Sequence, residues 1–109
     1  MKRGDIIIIS APGDYGKSRS AVIVQADALG ELGHESLVVC LLTTHTAQAP
    51  LFRLLLEPSL ENGLKKSSQV MVDKIFTLPK SKVSRVIGRL HSKEITELTR
   101  MLAFVVGIH

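Results

Sequence analysis

Arg19 opens the apolar run Ala21-Val22-Ile23-Val24 and follows a loop dense in turn formers, Ala11-Pro12-Gly13-Asp14-Tyr15-Gly16-Lys17. A rigid strand can hold its guanidinium in a fixed position. The planar fork suits bidentate binding of a phosphate and stays charged at any working pH. A structural ion pair with Asp5 or Asp14 is the plainer use of the same side chain. Lys17, two residues away, offers a second phosphate contact or is simply a loop lysine. A second polar cluster, Thr43-Thr44-His45-Thr46, ends another apolar run. Histidine is suited to acid–base work, yet four histidines at 34, 45, 91 and 109 show no metal-ligand spacing.

Residues 11–18, APGDYGKS, come close to the phosphate-binding loop G-x-x-x-x-G-K-[ST], with Ala in place of the first Gly. That motif needs a helix next, its N-terminal amides facing phosphate. Val22-Ile23-Val24 argues instead for a strand. The motif also needs an apolar strand ending in a metal-binding aspartate, and residues 37–42 end in Thr43.

The elements that must position these groups are short. Ile6 to Ile9 are all β-branched, too short a run for a helix and suited to a buried strand. After the loop comes a second strand over 21–24, then one helical turn near Ala28-Leu29. Residues 36–42 read as a third strand. Residues 50–57 read as a fourth, although Leu54-Leu55-Leu56 lacks alternation and is also compatible with a helix. Asn62-Gly63 is a turn signal, with Lys65-Lys66 beside it. Residues 69–72 make a fifth strand, Pro79 to Lys82 interrupt, and 83–90 supply the last. Ser92 is placed to cap a terminal helix in which Ile95, Leu98, Met101, Leu102 and Val105 share one face. Short strands separated by turns imply a small barrel or sandwich.

With 109 residues there is room for one domain and a modest core. A formal charge of +4 favours a polyanionic or acidic partner. One tyrosine, three phenylalanines and no tryptophan leave few platforms for stacking bases, so an RNA surface would lean on Arg, Lys and hydrogen bonds. Cys40 is the only cysteine and sits in an apolar strand, which excludes an internal disulfide and points to a reducing cytoplasm. The Lys2-Arg3 start leads into only four isoleucines, too few for a secretory signal, and no stretch has the length of a membrane span. Arg3-Gly4-Asp5 also spells a cell-adhesion tripeptide, discounted at the start of a strand in a cytoplasmic chain.

Arg-Gly-Asp before an apolar strand, a Gly-rich loop, then Arg-x-Ala-Val-Ile-Val resembles the opening of MazF/PemK-type toxins, the ribonuclease half of bacterial toxin–antitoxin pairs. Residues 62–75, NGLKKSSQVMVDKI, are similar to the family's late strand with its acidic end. Ile87-Gly88-Arg89-Leu90 before a terminal amphipathic helix continues the likeness. It spans nearly the whole chain, residues 1–109, as one domain. The resemblance implies a mainly β, α+β fold: a small SH3-like barrel of the MazF/PemK/CcdB type with a C-terminal amphipathic helix, in a homodimer.

The same resemblance implies metal-free cleavage of single-stranded RNA with no cofactor, the ribose 2′-hydroxyl attacking its own 3′-phosphate. By position, Arg19 matches the functional arginine, Thr43 the threonine after the third strand, and Asp73 an acidic residue used by some members. Arg19 would stabilise the transition state, Thr43 would bind or orient phosphate, and Asp73 is the candidate base. A turn-capping threonine and a salt-bridged aspartate are the plainer readings of the last two. No family position supports His45. Lys17, Thr44, Lys65 and Lys66 would contact RNA. An acidic, partly disordered antitoxin would cover the same cationic surface. The chain departs from the pattern in its first loop, which lacks the Glu-Gln pair and histidine of some members. Ser20 follows Arg19 where many have Pro, and Met71 stands where some have arginine. Alternatives are a same-fold toxin that binds a protein such as gyrase, or a nucleotide-binding protein.

Overall fold

Three of the four consecutive isoleucines, Ile6, Ile7 and Ile9, are sealed from solvent, because the sheet they lie in carries apolar packing on both faces. Ile6, Val22, Cys40, Leu42 and Val70 join one cluster, and Ile7, Ile9, Ala21, Ile23 and Val39 join the other. A strand buried on both sides needs a continuous apolar run and not an alternating one. The computed structural model describes residues 1–10 and 17–109. Most of the phosphate-loop-like stretch, residues 11–16, therefore lies outside the described residues.

The described elements run β1 (Asp5–Ser10), β2 (Ser18–Ile23), α1 (Asp27–Glu31), β3 (Ser36–Thr43), β4 (Arg53–Leu56), β5 (Ser68–Pro79), β6 (Val83–Arg89) and α2 (Ser92–Val106). The six strands form one sheet in the order β4-β5-β3-β2-β1-β6, and every pair is antiparallel. Immediately after Lys17 the chain is thus a strand returning along β1, with Ile9 opposite Arg19. A phosphate-binding loop opens a helix there, so the nucleotide reading does not survive.

The fold is the mainly β architecture expected, with one amendment: the sheet is not closed. β4 and β6 remain its two edges. The turn after β4 lies against β6, where the Arg89 N–H donates to Glu61 O at 2.9 Å. A Cβ on Gly88 would come within 2.4 Å of Glu61 O, and one on Gly63, at φ 68, within 2.2 Å of Ile87 O. Only glycine permits backbones to meet this closely.

Several boundaries differ from the sequence reading for local reasons. β5 runs to Pro79 because Asp73 and Lys74 do not end it: they sit where its register jumps from Val70↔Leu42 to Ile75↔Cys40. Four residues, 71–74, are accommodated against one on β3, so the strand bends and turns two charged side chains to solvent. Leu54-Leu55-Leu56 is a strand, paired to Val70, Gln69 and Ser68. The cap of α2 is His91, one residue before Ser92. Its Nδ1 accepts from the Glu94 N–H at 3.3 Å while the His91 N–H donates to Glu94 Oε1 at 3.0 Å. An imidazole nitrogen thus does the work usually done by a hydroxyl. α2 then buries Leu98 and Met101 against the side of the sheet that carries β4 and β5.

Candidate active site

The register of the central strands aligns the polar strand ends that the sequence singles out. Ala21 faces Leu41 across β2 and β3, and Thr43 faces Gln69 across β3 and β5. Extending these antiparallel ladders brings Arg19 and Thr43 to the same end of the sheet. There they line a cleft of about 420 Å³ together with Ser18, Ser20, Thr44 and His45. Arg19 and Ser20 are consecutive and point to opposite faces of a strand, so the cleft wraps the end of β2. Leu42 and Ser68 complete the lining.

Hydrogen bonds between side chains and the backbone hold the segment after β3. The His45 N–H donates to Thr43 Oγ1 at 3.1 Å. Thr43 is therefore a turn-capping threonine: its Oγ1 accepts in this bond, which does not use the hydroxyl's own donor. Gln69, 8% exposed, holds the next residues: its Oε1 accepts from the Ala47 N–H at 2.9 Å, and its Nε2 donates to Ala47 O at 3.0 Å.

A second cleft of about 290 Å³ adjoins the first and shares Ser20, Thr44 and Ser68 with it. Its rim carries three cations, Lys65, Lys66 and Arg85, over apolar Ile8, Leu64 and Ile87. Arg85 reaches this site because β6 pairs with β1 and sets it opposite Ile8. The lysines are positioned by Asn62, 2% exposed. Its Oδ1 accepts from the Ser59 and Leu64 N–H groups at 3.0 and 2.9 Å, and its Nδ2 donates to Glu57 O at 2.8 Å. Ser68 Oγ donates to Lys66 O at 3.0 Å, tying this loop to the start of β5.

Of the residues singled out by sequence, Arg19, Thr43 and Thr44 share the first cleft, and Thr44, Lys65 and Lys66 share the second. Lys17 is exposed just before Ser18 and lines neither. Asp73 lines neither cleft. It lies on the bend of β5, with Arg53 Nε 3.8 Å from its Oδ1. That nitrogen is buried and lacks a hydrogen-bond partner, so the carboxylate is its nearest compensation. Behind them, burial first and the Asp73 charge second push the Cys40 thiol up to about 12. Cys40 is an inert core residue, as its apolar setting implies. Of the two ion-pair partners considered for Arg19, Asp5 has Arg89 Nη1 at 3.9 Å from its Oδ1, and Asp14 lies outside the described residues.

Sequence reasoning missed Arg85 and Ser68 and set His45 aside. Alternation along Val83-Ser84-Arg85 marks Arg85 as facing one side of a strand, but only the β1–β6 register says which cleft that side meets. Among the described residues no three His, Cys, Asp or Glu side chains converge as they would around a metal ion.

Residues 2–106 match the family described as PemK-like, MazF-like toxin of type II toxin-antitoxin system. The chain belongs to that family. A Mycolicibacterium smegmatis protein named "Probable endoribonuclease MazF" is 37% identical over 109 residues, spanning 99% of this chain and 98% of that one. Two solved structures share the fold. An endoribonuclease in complex with its cognate antitoxin, from a mycobacterial species, superposes with a TM-score of 0.84 at 22% identity, covering 100% of this chain and 97% of that one. A MazE–MazF complex from Deinococcus radiodurans gives 0.74 at 18% identity, covering 100% and 98%. In this PemK/MazF-type toxin the two clefts lie side by side along one end of the sheet. Among the described residues no helix is long and apolar enough to cross a membrane.

Proposed function

We propose that this toxin is an endoribonuclease that cuts single-stranded RNA by attack of a ribose 2′-hydroxyl on the adjoining phosphorus, without a metal ion. The P–O5′ bond breaks, leaving a 2′,3′-cyclic phosphate on one fragment and a 5′-hydroxyl on the other. The observation that carries this reading is the shared cleft of Arg19 and Thr43, continuous with a cleft rimmed by Lys65, Lys66 and Arg85.

The chemistry follows from charge. Negative charge accumulates on the non-bridging oxygens as phosphorus becomes five-coordinate. A preorganised guanidinium and hydroxyl stabilise that state more than they stabilise the starting diester. Arg19 supplies two parallel N–H donors, and Thr43 donates the proton that its bond from His45 N–H leaves available. Lys65, Lys66 and Arg85 hold the neighbouring phosphates and set the strand's direction, while Ile8, Leu64 and Ile87 receive the face of a base. Lys17 approaches the entering strand from the exposed side. Asp73 is occupied with Arg53 and has a structural role in this scheme.

The functional unit is a homodimer, restrained by an acidic antitoxin whose carboxylates occupy the phosphate positions. Charge steering predicts that this association slows as salt rises. Incubating the protein with an RNA pool of mixed sequence in EDTA, then analysing fragment ends, tests the function. Cyclic phosphate and 5′-hydroxyl ends at a few short sites support it. Ends bearing 5′-phosphate, or cleavage only with magnesium, count against it.

A further inference from the structure

The proposed cleavage requires a group that takes the 2′-hydroxyl proton, and the identity of that group rests on the nuclease reading. Among the described residues lining the first cleft, the side chains that can carry charge are Arg19 and His45. A guanidinium has no acceptor and does not deprotonate in this range. We propose that His45 is the general base, its imidazole removing the 2′-hydroxyl proton of an RNA whose phosphate is held by Arg19 and Thr43.

Three features support the assignment. His45 lies two residues past Thr43, and its backbone N–H donates to Thr43 Oγ1, so the main chain carrying the imidazole and the phosphate-binding hydroxyl belong to one turn. Gln69 clamps Ala47 from both sides, which holds the segment carrying His45 against β5. The carboxylate that sequence order favours, Asp73, lies outside this cleft and beside Arg53. Among the described residues that line the first cleft with His45, the charged group is Arg19 from β2; Lys65, Lys66 and Arg85 line the adjoining cleft. Ser68 from β5 is neutral.

The step balances without a further reactant. An imidazole nitrogen takes the proton as the 2′-oxygen bonds to phosphorus. The P–O5′ bond breaks, and the 5′-oxygen leaves with the electron pair and is protonated by solvent. The imidazolium then returns its proton to solvent.

The test uses the full-length protein with one cleavable oligonucleotide, comparing wild type, His45→Ala, His45→Gln and Arg19→Ala, all checked for folding by thermal melting. The expected result is a fall in kcat of about 100-fold for both His45 variants. Their affinity for the same oligonucleotide with deoxyribose at the cut should change by less than about 2-fold, because binding rests on the cations. The wild-type rate should fall towards acid pH as imidazole protonates, and that limb should vanish in the variants. Added imidazole should restore part of the His45→Ala rate.

Two outcomes overturn the proposal while leaving the nuclease intact. In one, both His45 variants cut within about 3-fold of wild type with the acid limb retained, while Arg19→Ala is silent. In the other, a 5′-bridging sulfur, which leaves without a proton, restores His45→Ala to the wild-type rate, making His45 the donor. A wild-type protein that cuts no RNA overturns the nuclease reading itself.

Discussion

Two places in this molecule put charged side chains at the margin of a strand, the end of β2 and the bend of β5, and they have opposite fates. At the end of β2, Arg19 meets Thr43, Thr44 and His45 in a cleft whose described lining holds no carboxylate. At the bend of β5, Asp73 faces a guanidinium whose Nε is buried without a hydrogen-bond partner, in front of a buried thiol. The first arrangement gathers cationic and hydroxyl donors along one cleft, a lining suited to an anion. The second answers one charge with its opposite at the edge of the core. Among the described residues, neighbouring strands add hydroxyl and imidazole groups beside Arg19 and a guanidinium beside Asp73.

The largest way to break this comparison is Arg19→Ala. Cleavage should fall by about 1,000-fold, since a preorganised charge at the phosphate is the main catalytic contribution. A loss below about 10-fold, measured under single turnover, would place the phosphate site elsewhere.

Asn62→Ala tests the scaffold of the cationic rim. It strips the buried Asn62 partner from the Ser59 and Leu64 amides and from Glu57 O, so unfolding free energy should drop by about 2–3 kcal/mol in urea titration. An unchanged midpoint would mean that the loop is held by the Gly63 and Gly88 approach alone.

The bend should show itself at alkaline pH. Cys40 has its thiol pushed up to about 12 from 9.0, so the unfolded chain ionises first as pH rises. Stability from this group is complete below about pH 9 and is lost between there and about pH 12. At about pH 10.5 the wild type should have lost about 2 kcal/mol more than Cys40→Ala relative to neutral pH. Equal alkaline losses in the two proteins would deny the thiol's role.

Lys65→Ala with Lys66→Ala should weaken RNA binding about 10-fold and reduce the slope of log affinity against log salt by about 1.4, as expected for two phosphate contacts on a single strand. An unaltered slope would move the RNA path away from the second cleft. The smallest effect is expected at the bend: Asp73→Asn should change cleavage by less than about 3-fold while costing about 1 kcal/mol of stability through the Arg53 contact. A 100-fold loss of cleavage would return Asp73 to the catalytic set.

How much of this was legible in the sequence depends on whether a signal is local. The isoleucine run, the Asn62-Gly63 turn and the apolar face of α2 follow from neighbours in the chain, and each is found where periodicity and turn chemistry set it. The open edges of the sheet were not legible, because closure depends on whether β4 and β6 share a ladder, and what joins them is the Glu61–Arg89 bond beside two glycines. The length of β5 was hidden by Asp73-Lys74, which read as an end and form a bulge. His91 as a cap was obscured because Ser92 is the better capping type. In the site, the order of Arg19 and Thr43 is a sequence property, whereas the pairing of Asp73 with Arg53 is a property of the β4–β5 register. No residue-by-residue reading contains that register.

The most direct test of the account is cleavage, in EDTA, of a single RNA that carries one deoxyribose immediately 5′ to the mapped cut. The substituted strand should bind with unchanged affinity and should not be cut at that position, because the nucleophile has been removed while every phosphate contact remains. Cleavage persisting at the deoxyribose would contradict it, since the attacking oxygen would then come from outside the RNA and the Arg19–Thr43 cleft would be serving a different reaction.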